Sequence, residues 1–323
     1  MAYFKFSDSA LIPLAIICIW SAVASGQGLQ AVTIASTTPS ITTMAVEVAL
    51  QKGFFQKEGL QPQRVFIRSA DVIIKALLLG EIDYATVFSS AVAASVRGVP
   101  VKVVGAMTRG MDYALVTKPG ITRIEDLRGK VFAISSFGAA GDYVIYTVLE
   151  RNGIQPERDA RFITVGGSSS RLAVLAAGAA DVTSLVAPFH YQAEKMGLRI
   201  FMTPEQMSKW VELPGGGVAV AESKTRRNQE EITKVLRAIQ RGSKFARENS
   251  EEAIAIGMKW LRIDRDTGEK LYRILRELSV DDLIVPDRLV TNAVHLSVFR
   301  QREKLDVELD KIRDWSFAER AKR

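Results

Sequence analysis

From Gln30 to about Met202 the apolar positions alternate between two rhythms. Short apolar runs of strand length, such as "QAVTIAS" and "RVFIRSAD", lead into stretches with helical spacing, "MAVEVALQKG" and "DVIIKALLLG", that stop at a glycine. The pattern continues with predicted strands at Tyr84–Phe88 and Val101–Met107 and helices at Asp71–Leu79 and Ser89–Arg97. Such alternation predicts an α/β domain with a largely parallel sheet. "TKPGITRIEDLRGK" breaks the rhythm, and a second series begins: strand "KVFAISS", helix Asp142–Arg151, strand Arg161–Val165 and strand Leu198–Met202. "ELPGGGVAVAE" is a poor element interior and a good crossing point, with Gly216 as the expected hinge. From Lys224 the spacing is helical to the end, and these helices are expected to cover the first lobe's sheet. The expected organisation is therefore a first lobe in two parts, residues 31–117 and 215–323, with a second lobe, residues 118–214, inserted between them.

The two series share a device. "ALLLGEIDYATVFSS" starts at Ala76 and "VLAAGAADVTSLVAP" at Val174, 98 residues later. In each, a helical run ends at a glycine (Gly80, Gly178), an aspartate follows three residues on (Asp83, Asp181), and an apolar strand comes next. This is internal repetition of a strand-helix-strand unit. Ligands of open parallel sheets sit beyond the carboxyl ends of the strands. Two repeated lobes facing each other through those edges would form a cleft.

Composition changes little in this picture. Hydrophobic residues make up 47% and charged residues 24%, as in ordinary globular proteins. The net charge of +7 raises the question of nucleic acid, but Lys224–Arg323 holds 23 Lys and Arg against 18 Asp and Glu, and no basic stripe with interleaved aromatics appears. No nucleic-acid partner is expected. At the N-terminus, the apolar "ALIPLAIICIW" followed by small residues at Ala22 and Ala24 reads as an export signal over residues 1–24, with an uncleaved anchor as the alternative. The run is shorter than the roughly 18 to 20 residues that cross a bilayer. Cys18, the single cysteine, would leave with the signal, so the mature chain would have no thiol for disulfides or catalysis.

Candidate chemistry gathers in the strand-to-helix loops. Ser36–Thr43, Arg68–Asp71, Val87–Ala91, Ser135–Asp142, Gly166–Arg171 and Val186–His190 are rich in hydroxyls, glycine and small residues. Each would offer free backbone N–H groups to an anionic or strongly polar ligand, although the same residues serve equally as helix N-caps. Phe88, Phe137 and Phe189 sit at these edges with Tyr143 and Tyr191 close behind, and Arg68 and Arg109 could pair with an anion. Catalytic equipment is not evident. "GGSSSR" lacks the ending of a phosphate-binding P-loop, no GxGxxG follows a strand, and the two histidines, His190 and His295, have no partners at metal-ligand spacing. No metal or cofactor is expected, and binding is expected in place of catalysis.

Five stretches carry a family resemblance: "ALQKGFFQKEGL", "KALLLGEIDYA", "GVPVKVVGAM", "IEDLRGKVFAISSFG" and "RLAVLAAGAADV". In this order they resemble the substrate-binding proteins of ABC importers, in the branch with aliphatic-sulfonate, taurine and nitrate binders and thiamine-pyrimidine-precursor proteins. The resemblance implies a two-lobed periplasmic-binding-protein fold of the second type, a monomer exported to the periplasm, and a small-molecule ligand held in the cleft between lobes. It further implies delivery of that ligand to a membrane permease with its ATPase. Carried over by position, ligand contacts would fall at Ser36, Thr37 and Thr38, at Ser69 and Ala70, at Phe88 and Ser89, at Phe137 and Gly138, and at Ser168 and Pro188. One branch of the superfamily makes the thiamine pyrimidine with a cysteine-rich iron motif, which this sequence lacks. An enzyme on the same fold and a ligand-sensing partner of a membrane receptor are the alternatives.

Overall fold

A computed structural model describes residues 28–299 and 307–322; the expected export signal lies outside the described residues. Ten strands form two five-stranded sheets. The strands are β1 Gln30–Ser36, β2 Leu60–Phe66, β3 Tyr84–Ala85, β4 Val101–Ala106, β5 Ala114–Thr117, β6 Val131–Ile134, β7 Arg161–Thr164, β8 Val182–Leu185, β9 Arg199–Met202 and β10 Gly217–Ala221. The first sheet has the order β2-β1-β3-β10-β4 and the second β7-β6-β8-β5-β9, so the two orders correspond strand for strand. In each, one strand is antiparallel to both neighbours: β10 in the first and β5 in the second. Each of these strands enters its sheet directly from the other lobe. The expected α/β fold of two lobes, each a mainly parallel sheet flanked by helices, is the observed one.

β5 lies in the second sheet, so the expected first-lobe boundary at residue 117 falls after a strand that pairs with β8 and β9. The four residues "ALVT" are wholly buried, and an apolar tetrad does not declare which sheet receives it. β3 is also shorter than expected, because the helix Phe88–Val96 starts where the strand was read to continue.

The repeated device has the same geometry in both lobes. Each helix ends on a glycine in the left-handed region, Gly80 at φ +74° and Gly178 at φ +77°, where a side chain would be strained. The residue after each glycine folds back, Glu81 N–H to the Ala76 carbonyl and Ala179 N–H to the Val174 carbonyl. The aspartates then clamp the entry of the central strand. Asp83 Oδ2 accepts from the Thr33 amide at 2.8 Å while its own amide donates to the Thr33 carbonyl. Asp181 Oδ2 accepts from the Val131 amide at 2.9 Å while its own amide donates to the Val131 carbonyl. A lysine neutralises each carboxylate at 2.7 Å, Lys224 on Asp83 and Lys118 on Asp181. The duplicated aspartates therefore build sheets and leave ligand chemistry to the loops at the opposite end.

The C-terminal helices cover the first sheet, where Ile232, Val235, Leu236 and Ile239 of the helix Gln229–Glu248 pack with Val32, Ile34 and Val220. They also reach the second lobe. Phe299, at the end of the helix Asp287–Val298, meets Tyr143 and Tyr146 edge-on, with ring centroids 5.1 and 4.6 Å apart. On another side, Lys195 pairs with Asp264 and Lys270 lies over the Tyr191 ring.

Candidate functional site

The carboxyl ends of β1, β3, β6 and β8 face one another across a cavity of about 120 Å³, lined from both lobes. From the first lobe come the loop Ser36–Thr43, Arg68 and Ala70 at the start of the helix Ala70–Leu79, and Thr86–Ser90 at the start of the helix Phe88–Val96. The second lobe adds Ser135 and Ser136, Ala139 and Ala140 before the helix Ala140–Arg151, and Gly167, Ser168 and Arg171 of the helix Ser168–Ala176. Four helices thus begin at this wall, each with backbone N–H groups that no intrahelical acceptor takes up. The lobes stand close at the mouth: a Cβ placed on Gly167 would lie 3.6 Å from the Thr37 carbonyl, and one on Gly166 would lie 3.5 Å from the Arg68 carbonyl.

Hydroxyls organise the floor. Ser36 Oγ and Thr86 Oγ1 are 2.7 Å apart at the ends of adjacent strands, and Ser40 Oγ caps the turn Ile41–Thr43 by accepting from the Thr42 amide. The crossings meet below them. Thr108 Oγ1, on the first crossing, accepts from the Gly215 and Gly216 amides of the second, both at 3.1 Å, and donates to the Gly110 carbonyl. At Gly216, the expected hinge position, a Cβ would lie 2.3 Å from the Thr42 carbonyl, so this close approach requires glycine.

Charge enters through three side chains. Arg171 is 2% exposed, and its guanidinium donates to the Ser184 and Gly166 carbonyls and to Ser168 Oγ. Every one of these acceptors is uncharged, and burial pulls its pKa down while Tyr113 pulls it up. Arg68 is exposed and makes no hydrogen bond or ion pair among the described residues. Asp112, on the first crossing, is 1% exposed; its Oδ2 accepts from the Ala187 amide at 2.7 Å, while Oδ1 has no partner. Burial pushes its carboxyl up to about 6, against the Ala187 amide and Asp112's own backbone amide, which draw it down. Burial likewise holds the Tyr113 phenol above its ordinary value, opposed by the neighbouring Arg171.

Residues 40–253 match the family described as NMT1/THI5 like. The chain belongs to the NMT1/THI5-like family. Among solved structures this NMT1/THI5-like protein is similar to the periplasmic nitrate-binding protein NrtA from Synechocystis PCC 6803, with a TM-score of 0.79, 14% identity, and coverage of 91% of this chain and 88% of that one. It is also similar to a ligand-binding component of an ABC-type import system from Staphylococcus aureus, with a TM-score of 0.75, 14% identity, and coverage of 90% and 99%. A provisionally named binding protein of Brucella abortus (strain 2308) is 21% identical over 254 residues, 75% of either chain. The fold is that of the periplasmic binding proteins, two lobes with a cleft between them. No helix among the described residues is long and apolar enough to cross a membrane.

Of the contact positions expected from the resemblance, Ser36, Thr37, Thr38, Ala70, Phe88, Ser89 and Ser168 line the cavity. Ser69, Phe137, Gly138 and Pro188 do not. Ser69 spends its hydroxyl as an N-cap, accepting from the Val72 amide. Phe137 is 59% exposed and leans on Phe162 at the surface of the second lobe, and the Gly138 amide donates to Asp142. Pro188 precedes the helix Phe189–Lys195, whose His190 is buried with Nε2 unpartnered and held neutral by burial, its pKa lowered to about 4. Arg109 lies away from the cavity, donating to the Ser279 carbonyl. Asp112, Tyr113 and Arg171 were missed as lining residues. Only Arg171 carried a signal, as the last residue of the loop "GGSSSR".

Proposed function

We propose that this protein is the exported solute-binding component of an ABC importer: it captures a small polar ligand, anionic or heteroaromatic, between its lobes in the periplasm and delivers it to a permease with its ATPase. One observation carries the reading. The two lobes turn hydroxyls, four helix starts and two arginines into one shared cavity, so a ligand can touch both lobes only when they are together. A ligand held in this way shifts the open-closed equilibrium by its differential affinity for the shut form, which is the signal a permease can read. The lobes would move as units about the paired crossings, residues 107–113 and 203–216. The ligand contacts proposed are the seven expected positions at the wall together with Arg171. The protein acts as a monomer and binds its ligand without turnover; His190, the histidine nearest in sequence to a lining loop, is outside the cavity.

The test is a thermal-shift screen of the mature chain against sulfonates, nitrate, pyrimidines, flavins and aromatic carboxylates, followed by solution scattering with each hit. A ligand that binds the native state alone raises the melting temperature. Compaction on binding is expected. A hit that leaves the scattering profile unchanged, or one recovered chemically altered in mass spectrometry, overturns the reading.

A further inference from the structure

The two crossings also line a second, larger cavity of about 640 Å³, and it shares no residue with the cleft. The first crossing contributes Arg109 and Gly110, the second Ser208, Val211 and Glu212, and the remaining wall is the connection between the helices Arg265–Leu278 and Asp287–Val298. These walls are fastened to one another. The Arg109 amide donates to the Leu278 carbonyl at 2.8 Å and the Val280 amide to the Met107 carbonyl at 3.0 Å, which ties the first crossing to the helical tail. Glu212 ties the second: its carboxylate pairs with Arg288, and its carbonyl accepts from Asn292 Nδ2 at 2.9 Å. A cavity held in this way exists before a guest arrives, and its volume falls within the range of about 300–1,000 Å³ that drug-sized ligands occupy.

The lining divides into an apolar floor and a charged rim. Val211, Val280, Val285 and Leu289 are buried, with Leu278 and Ile284 half-buried beside them. At the rim, Arg247 pairs with Asp281, Arg288 with Glu212, and Asp282 with Lys322. Arg109 is left over. It makes no ion pair among the described residues, and its guanidinium has one long hydrogen bond, to the Ser279 carbonyl at 3.4 Å. A cationic guest would find each carboxylate of the rim already matched, whereas an anion finds an arginine with donors to spare. Going beyond the solute-binding reading above, we propose that this cavity is a second binding site, for an amphipathic monoanion. The apolar body lies on the floor, where it leaves water, and a single carboxylate or sulfonate head pairs with Arg109. The guest braces the first crossing against the helical tail.

Two fluorescent probes that differ in the head alone test this on the mature chain: 8-anilinonaphthalene-1-sulfonate and its uncharged parent, N-phenyl-1-naphthylamine. The sulfonate should bind about fivefold or more tightly than the parent, and decanoate should displace it at concentrations about fivefold or more below those of 1-decanol. Arg109→Gln, checked for folding by circular dichroism, should erase both preferences and leave the affinity of the uncharged parent in place. In hydrogen exchange, the bound sulfonate should slow the amides of Arg109 and Val280 and leave that of Arg171, in the cleft, unchanged. Equal binding of the two probes, a preference that survives in Arg109→Gln, or protection at Arg171 without protection at Val280 overturns the proposal. Should Arg109→Gln fail to fold, the exchange pattern of the parent protein still decides. None of these outcomes bears on the cleft, whose reading the broader screen decides separately.

Discussion

Replacing Asp112 by Asn should leave or raise the stability of the empty protein at neutral pH and lower it in acid. The native carboxyl, 1% exposed, titrates near 6 where an ordinary aspartate titrates near 3.8. The folded state therefore holds this proton more tightly than the unfolded chain does. As pH rises from about 4 to 6 the unfolded state ionises first, the folded state carries the extra proton, and stability falls with pH through that window. A rise from 3.8 to about 6 corresponds to about 3 kcal/mol at neutral pH, of which about 2 kcal/mol develops between pH 4 and pH 7. Asn keeps an acceptor for the Ala187 amide and does not titrate, so that term vanishes in the variant. Its amide nitrogen would take the place of the unpartnered oxygen at a cost of about 1–3 kcal/mol. That cost is the same at every pH and cancels from the difference. Urea unfolding of both proteins at pH 4, 5.5 and 7, followed by tryptophan fluorescence, measures it. The stability difference between variant and parent should shift in favour of the variant by about 2 kcal/mol from pH 4 to pH 7. A difference independent of pH would refute the burial argument and, with it, the claim that an unpaired carboxylate stands at this wall.

Four further outcomes follow from the fold. Thr108→Val keeps the shape of the side chain but strips the acceptor shared by the Gly215 and Gly216 amides, and should destabilise by about 2–4 kcal/mol in denaturant unfolding. Gly216→Ala drives a methyl into the Thr42 carbonyl and should cost about 1–3 kcal/mol or more, with a lowered melting temperature; an unchanged one would show that the crossing is loose. Asp181→Ala frees the Val131 amide and the Lys118 ammonium, so hydrogen exchange at Val131 should accelerate by roughly tenfold or more, as for a loss of about 1–3 kcal/mol, while Thr33 in the other lobe keeps its protection. Phe299→Ala removes two edge-on aromatic contacts between lobes, worth about 0.5–1.5 kcal/mol each, and should expand the ligand-free protein in solution scattering; an unchanged radius of gyration would exclude a closing role for this contact.

What the amino-acid order alone determined is the local and the repeated. The βαβ series, the glycine stops at Gly80 and Gly178 and the strand β1 follow from backbone conformation and apolar period, forces that act within a few residues. The duplication announced two lobes, and the hydroxyl loops that reach the cavity were visible because a strand end leading into a helix start is written in Ser, Thr and Gly. Tertiary structure alone decided which of those loops turn inward: Ser69 is used up by its own helix and Phe137 lies on the outside. It also decided that β5 belongs to the second sheet and that Phe299 spans to the other lobe. The charged wall was hidden for a further reason. An aspartate and an arginine carry the same letters whether solvated or buried, and only the packing of the crossing against Ala187, and of the helix Ser168–Ala176 against Ser184, takes water and counter-ions away from Asp112 and Arg171.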